Sequence, residues 1–322
     1  MKKIQNILTT LLFLGLLSSY SCSNDDIPME YVAGRHDVTF KVNTYSILEA
    51  YEKTVLICTA ADEILLNAPG HTLRVRLLIY DNNDKLVSIS EKSVDNFRST
   101  VDFVINLPEG KYKSVSICDL INTTNGQEYW AIKDTELKTT LKLVRNTTSL
   151  GTLGAMIGTN ISDITVKESE EINCNLKPQF SLYYTQFEEI HANMTQYLKD
   201  RYQSMINVDH FSLYTYTYPR SIQLSSSGEF ETSFEVNEDK PFDLLSFKPS
   251  EIDDNTFYGF VALFPTSYMK LGVAAVDKNN DYWLIGDEEQ WYINNVPYGG
   301  WVFSMRLLPP VVIWYHWDNR PS

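Results

Sequence analysis

Leu73-Arg74-Val75-Arg76-Leu77-Leu78-Ile79-Tyr80-Asp81-Asn82-Asn83-Asp84-Lys85-Leu86-Val87-Ser88-Ile89 decides the fold class. Apolar and polar residues alternate through Leu73–Leu77 and again through Leu86–Ile89. That is the period of a strand, which sends successive side chains to opposite faces. Between the two runs, Asp81 to Asp84 are residues whose side chains hydrogen-bond their own backbone and so turn a chain. The stretch predicts a β-hairpin.

The same pattern continues outward. Val38–Val42 alternates, Phe103–Leu107 is a further strand, and Pro108-Glu109-Gly110 turns it into Lys111–Ile117. Leu137–Val144, Phe211–Tyr218, Ser221–Leu224, Phe230–Val236, Phe257–Phe264 and Leu271–Val276 read the same way. Short strands with turn signals every ~8–12 residues predict β-sandwiches. Helical spacing appears where Ile190, Met194, Tyr197, Leu198, Tyr202 and Met205 predict a helix over Phe187–Ile206, with a second, short one near Ser149–Met156. The length favours two domains over one. The expectation is an all-β chain with minor α: one sandwich over 36–180, and a second over 181–322 that opens with the helix.

A faint internal repeat supports that division. Leu107-Pro108-Glu109-Gly110-Lys111-Tyr112, Val115-Ser116-Ile117-Cys118-Asp119 and Glu128-Tyr129-Trp130-Ala131-Ile132-Lys133-Asp134 recur in order. Their counterparts are Phe264-Pro265-Thr266-Ser267-Tyr268, Val273-Ala274-Ala275-Val276-Asp277 and Asp281-Tyr282-Trp283-Leu284-Ile285-Gly286-Asp287. The physical reading is one strand–turn–strand–hairpin unit built twice, each with a tryptophan in its own core.

The N-terminus has the layout of a secretory signal peptide: Lys2 and Lys3, a short and mostly apolar run from Ile7 to Leu17, then small and polar residues up to Cys22. The run is shorter than the ~20 apolar residues that span a bilayer. A cysteine directly after Ser19-Tyr20-Ser21 resembles a bacterial lipoprotein signal. That resemblance implies a signal peptide over 1–21, lipidation of Cys22 and a tether over 22–35. Ser23-Asn24-Asp25-Asp26 resembles the acidic segment that directs Bacteroidetes lipoproteins to the outer face of the outer membrane.

The chain carries 27 basic and 41 acidic residues, a net charge of −14, and two of the basic ones fall in the leader. Such a surface repels phosphate backbones and excludes nucleic acid as a partner. It also repels anionic lipid, so membrane attachment falls to acyl chains. Three further cysteines, Cys58, Cys118 and Cys174, sit in apolar settings, and their odd number argues against a disulfide scaffold. They read as buried free thiols, with a Cys58–Cys118 bridge as the alternative.

No nucleophile elbow, phosphate loop, zinc-protease helix or dinucleotide fingerprint is present, and the five histidines are scattered. The sequence gives no cofactor, no metal ligands and no catalytic residues, and the chain is expected not to be an enzyme. Asp277-Lys278-Asn279-Asn280-Asp281 opens like a calcium loop, but Tyr282 stands where its glycine belongs, so a hairpin turn is expected.

Five of the six tryptophans fall after residue 282, interleaved with tyrosines. Aromatic faces stack on sugar rings, which makes Trp291, Tyr292 and Trp301 glycan-binding candidates beside the plainer reading of a large-residue core. Val311-Val312-Ile313-Trp314-Tyr315-His316-Trp317 is apolar on both faces and follows Pro309-Pro310. Open sheet edges are normally charged or blunted. This strand must therefore be covered by its own domain or by a partner, and Val311, Ile313, Trp314, Tyr315 and Trp317 are the partner-strand candidates.

An apolar strand ending in Tyr80-Asp81, a polar turn into Lys85-Leu86-Val87 and the Leu107–Tyr112 hairpin resemble the fimbrillin-related surface lipoproteins of Bacteroidales. Within these the chain is most similar to the FimB/Mfa2-type family of fimbrial anchors. Anchors of that family commonly carry a second cysteine soon after the lipid cysteine, and none lies between Cys22 and Cys58. The resemblance implies two tandem transthyretin-like sandwiches, lipid-anchored at the cell surface on the outer membrane. It also implies a role as anchor or minor component of fimbriae, through strand contacts with fimbrial subunits. The alternative is a surface glycan-binding lipoprotein of a polysaccharide-uptake system.

Overall fold

The computed structural model describes residues 34–44, 70–94, 99–134, 140–143, 156–188, 207–224, 229–236, 241–248, 256–264, 266–285, 292–296, 302–308 and 311–315. Among them every regular element is a strand and none is a helix. The first half holds β1 (Arg35–Asn43), β2 (His71–Asp81), β3 (Leu86–Val94), β4 (Thr100–Pro108), β5 (Gly110–Asn122), β6 (Gln127–Glu128), β7 (Trp130–Asp134), β8 (Thr140–Leu143), β9 (Gly158–Val166), β10 (Glu170–Asn175) and β11 (Lys177–Pro178). The second holds β12 (Ser181–Glu188), β13 (Val208–Thr215), β14 (Thr217–Leu224), β15 (Phe230–Val236), β16 (Phe242–Phe247), β17 (Thr256–Leu263), β18 (Thr266–Asp277), β19 (Tyr282–Ile285), β20 (Tyr292–Val296), β21 (Val302–Leu308) and β22 (Val311–Tyr315).

The two halves repeat one pairing scheme. In the first, β1 runs antiparallel to β4 and parallel to β10, β2 pairs β3 and β5, and β5 pairs β9. In the second, β12 runs antiparallel to β17 and parallel to β21, β13 pairs β16 and β18, and β18 pairs β20. The sequence repeat falls on this scheme: Leu107–Tyr112 joins β4 to β5, and Phe264–Tyr268 joins β17 to β18.

Each half also carries one inserted hairpin, β7–β8 in the first and β14–β15 in the second. The inserts pair with each other, giving a four-stranded sheet in the order β15-β14-β8-β7. The contact between the halves is antiparallel, with Ser221 opposite Lys142, Ile222 opposite Leu141 and Gln223 opposite Thr140. Phe211–Tyr218, which reads as one run, is divided for this purpose. The chain leaves the β13 sheet at Tyr216, where the Thr215 hydroxyl donates to the Lys270 carbonyl at 2.7 Å and accepts from the Thr217 amide at 3.0 Å.

The expected hairpin is present, but its first strand differs from the alternating reading: β2 is buried without interruption from Leu73 to Tyr80. Val75, Leu77 and Ile79 are buried with Val38, Phe40 and Val42 of β1 and Phe103 of β4 in one cluster. That cluster continues into Trp130 and into Ile222, Leu224, Phe230 and Phe264 of the second half. Trp130 is fully buried and meets Phe264 edge-on, ring centroids 5.7 Å apart. The expectation of a tryptophan in each separate core is corrected on both counts. The core of Trp130 takes in residues from both halves, whereas Trp283 is half-buried and donates through Nε1 to Asp277 Oδ2 at 3.2 Å.

The two acidic turns share one geometry. Asp81 Oδ1 accepts from the amides of Asn83 and Lys85, and Asp277 Oδ1 from those of Asn279 and Asp281, all between 2.8 and 3.1 Å. Asp84 and Asn280 take the left-handed conformation at φ 64° and 63°, which Asp and Asn tolerate better than other side-chain-bearing residues. Residues 277–281 thus form a hairpin turn, as expected. The Leu107–Tyr112 hairpin is closed by the Tyr112 hydroxyl, which donates to the Pro108 carbonyl at 2.9 Å. The predicted helix over 187–206 fails at its start: Phe187 and Glu188 end β12, opposite Phe257 and Thr256. Residues 189–206 and 149–155 lie outside the described residues.

Candidate strand-pairing site

The C-terminal segment forms β22, antiparallel to β21, with Leu307 opposite Val312 and Met305 opposite Trp314. The strand order β17-β12-β21-β22 places it at the end of its sheet. The repeated scheme has no place for it. In the first half the corresponding sheet is β10-β1-β4, and β10, the counterpart of β21, has no strand on its outer side among the described residues. Among the described residues, one sheet edge is thus covered by an added strand and its twin is not. Backbone amides and carbonyls along such an edge accept a further strand without rearrangement.

β10 is suited to that role by its side chains. They alternate between half-buried or buried and exposed, with Cys174 fully buried and Glu171 outward. Glu171 accepts a hydrogen bond from Lys41 Nζ at 2.7 Å on the outer face of the sheet. Glu170 Oε1 is buried without a hydrogen-bond partner.

Of the partner-strand candidates, Val311, Ile313, Trp314 and Tyr315 are four of the five residues of β22, and Trp317 lies outside the described residues. Of the glycan candidates, Tyr292 opens β20 opposite Lys270, while Trp291 and Trp301 lie outside the described residues. So do Cys22, the leader and Cys58. Cys118 and Cys174 are buried free thiols, so the alternative Cys58–Cys118 bridge is not formed. Burial pushes both thiols above their ordinary range, for Cys118 with help from neighbouring Asp119.

Beneath the joint between the halves lies a charge cluster that the sequence reading missed. Arg74, Arg76 and Asp119 are all buried, on strands β2 and β5. Arg74 grips both oxygens of Asp119, Nε to Oδ1 at 3.0 Å and Nη2 to Oδ2 at 2.7 Å. Nη2 also donates to the Trp130 carbonyl at 2.7 Å, and Nη1 meets half-exposed Glu128 at 3.0 Å. Burial works against the Arg74 charge, but the bonds to Asp119 and Glu128 outweigh it and hold the guanidinium firmly protonated. Arg76 lies 3.2 Å from Asp119 Oδ1, with Nε and Nη2 lacking hydrogen bonds, and burial lowers its pKa. The cluster therefore ties the start of the inserted hairpin, through Trp130, to the sheet beneath it. Its sequence signal is two arginines on the alternate face of an otherwise apolar strand.

No known protein family matches the chain, and no curated protein matches it. Several solved structures are similar in fold. They include the fimbrial anchor protein Mfa2 from Porphyromonas gingivalis, at 12% identity and a TM-score of 0.45, covering 85% of this chain and 91% of that one. The tip fimbrial protein Mfa3 from the same organism, with C-terminal truncation, aligns at 9% identity and a TM-score of 0.41 over 87% of this chain and 97% of its own. A protein of Bacteroides thetaiotaomicron VPI-5482, named as a putative polysaccharide-binding protein, aligns at 12% identity and a TM-score of 0.47 over 88% of this chain and 100% of its own.

Proposed function

We propose that the chain is a surface lipoprotein, held at the outer membrane by acyl chains on Cys22, that joins fimbrial subunits by pairing strands. Its two sandwiches span 36–180 and 181–322, and its role is binding rather than catalysis. One observation carries this reading: β22 lies outside the repeated scheme at a sheet edge, and the matching edge of the first half, at β10, carries no added strand among the described residues. The element exchanged is the 311–317 segment, and the acceptor is a β10-type edge on the neighbouring subunit. Main-chain hydrogen bonds supply affinity in such a contact, and alternate side chains supply specificity. The leader pattern ending at Cys22 supports the anchor. The role is of the kind that the names of Mfa2 and Mfa3 describe.

Deleting residues 311–322 tests the strand. The truncated chain is expected to keep its β circular-dichroism spectrum, because β22 is a terminal edge strand, and to lose co-purification with fimbrial subunits. Intact folding together with intact assembly would remove this segment from the reading.

A further inference from the structure

The sheet with strand order β16-β13-β18-β19 carries a side-chain cluster that spans its width. Ser212 and Tyr214 of β13 stand opposite Ala274 and Gly272 of β18, so this face is floored by small residues. A Cβ on Gly272 would lie 2.3 Å from Cζ of Tyr214, whose ring occupies the space that the glycine leaves. Tyr282 of β19 reaches across two strands to Asp243 of β16, its hydroxyl donating to Oδ1 at 2.6 Å. The Ser212 hydroxyl donates to the same oxygen at 2.5 Å.

Around the buried Tyr214 ring stand two half-buried ones. Tyr216 and Tyr282 meet it edge-on at 5.5 and 5.8 Å, with interplanar angles of 82° and 81°. Lys270 Nζ sits 5.3 Å from the Tyr216 ring centroid. The result is two tyrosine rings pinned by a third, with a carboxylate beside one and an ammonium beside the other.

The geometry points to a saccharide-binding site at Tyr216, Tyr282, Asp243 and Lys270, taking a neutral pyranose glycan. A pyranose offers a C–H face that stacks on an aromatic ring and a rim of hydroxyls. The hydroxyls are donors to a carboxylate and acceptors from an ammonium, and hydrogen bonds to charged partners are the stronger kind. Rings already fixed by packing lose little freedom on binding. The net charge of −14 disfavours polyanionic glycans. The site uses neither Trp291 nor Trp301, and it does not depend on strand pairing by residues 311–317.

The test is calorimetric titration of the folded full-length chain with glucan, mannan, galactan and xylan oligosaccharides, with polygalacturonate as the charged comparison. At least one neutral oligosaccharide is expected to bind. Tyr216→Ala should raise its Kd about tenfold or more, whereas Tyr216→Phe, which keeps the ring, should bind as the parent does, with unchanged melting temperatures in both. Should Tyr216→Ala unfold, Lys270→Met supplies the same weakening without removing a ring. Absence of binding by every neutral oligosaccharide at millimolar concentration overturns the proposal. So does preference for polygalacturonate, or binding indifferent to both Tyr216→Ala and Lys270→Met. None of these results touches the fimbrial reading, which the 311–322 deletion tests separately.

Discussion

Replacing Asp119 with alanine is expected to cost about 3–5 kcal/mol of folding stability, because two buried guanidinium groups lose their shared carboxylate. The side chains of Arg74 and Arg76 are only 3% and 5% exposed, so water cannot take over the role of the anion. Glu128, half-exposed and paired directly with Arg74, does not replace it. The loss should appear as a lower urea midpoint with an unchanged m value, since the surface exposed on unfolding is the same. Replacing Arg74, Arg76 and Asp119 together by apolar residues of similar size should cost far less, because no charge is then left buried and unpaired. If Asp119→Ala alone lowers the unfolding free energy by under ~1 kcal/mol, the cluster is not desolvated as described.

Trp130→Ala is expected to cost a further about 3–5 kcal/mol, the range for deleting a large aromatic side chain from a closed core. Its consequences should not stay in the first half. Trp130 packs edge-on against Phe264, and such pairs contribute about 0.5–1.5 kcal/mol beyond the area they bury. A double-mutant cycle with Phe264→Ala should therefore return a coupling energy in that range. Additive losses would mean that the two halves do not share this contact thermodynamically.

These expectations rest on features that the sequence reveals unevenly. Strands such as Val38–Val42 and Phe230–Val236 are legible because alternation and turn chemistry are local. The acidic turns are legible for the same reason, since Asp81 and Asp277 fold their own neighbours. The burial of Arg74 and Arg76 is not local. It follows from a hairpin some 56 residues away whose Trp130 carbonyl closes over Arg74. Nor can local spacing show that Phe187 and Glu188 belong to a strand, because β12 is fixed by parallel pairing to β21 more than a hundred residues later. The repeat is visible as three short motifs, but the mating of the two inserted hairpins depends on pairing between β8 and β14, which leaves no mark in either segment alone.

For the candidate site, the apolar run Val311–Trp317 marks the strand, and β22 accounts for its first five residues. Its significance comes from topology instead: only the comparison of β21 with β10 shows, among the described residues, one edge filled and the other without an added strand. The tyrosine cluster was hidden for a related reason. Ser212, Tyr214, Asp243, Gly272 and Tyr282 lie on four strands, and only the sheet order brings them together.

The paired inserts and the core around Trp130 join the two repeats and are expected to make them one cooperative unit. Hydrogen exchange followed by mass spectrometry across a urea series tests it most directly, with peptides from β2 and β5 reporting the first repeat and peptides from β13 and β18 the second. The fused fold predicts that all four lose protection together, at one urea concentration and with one free energy of opening. Loss of protection in β13 and β18 while β2 and β5 stay closed, or the reverse, would contradict it.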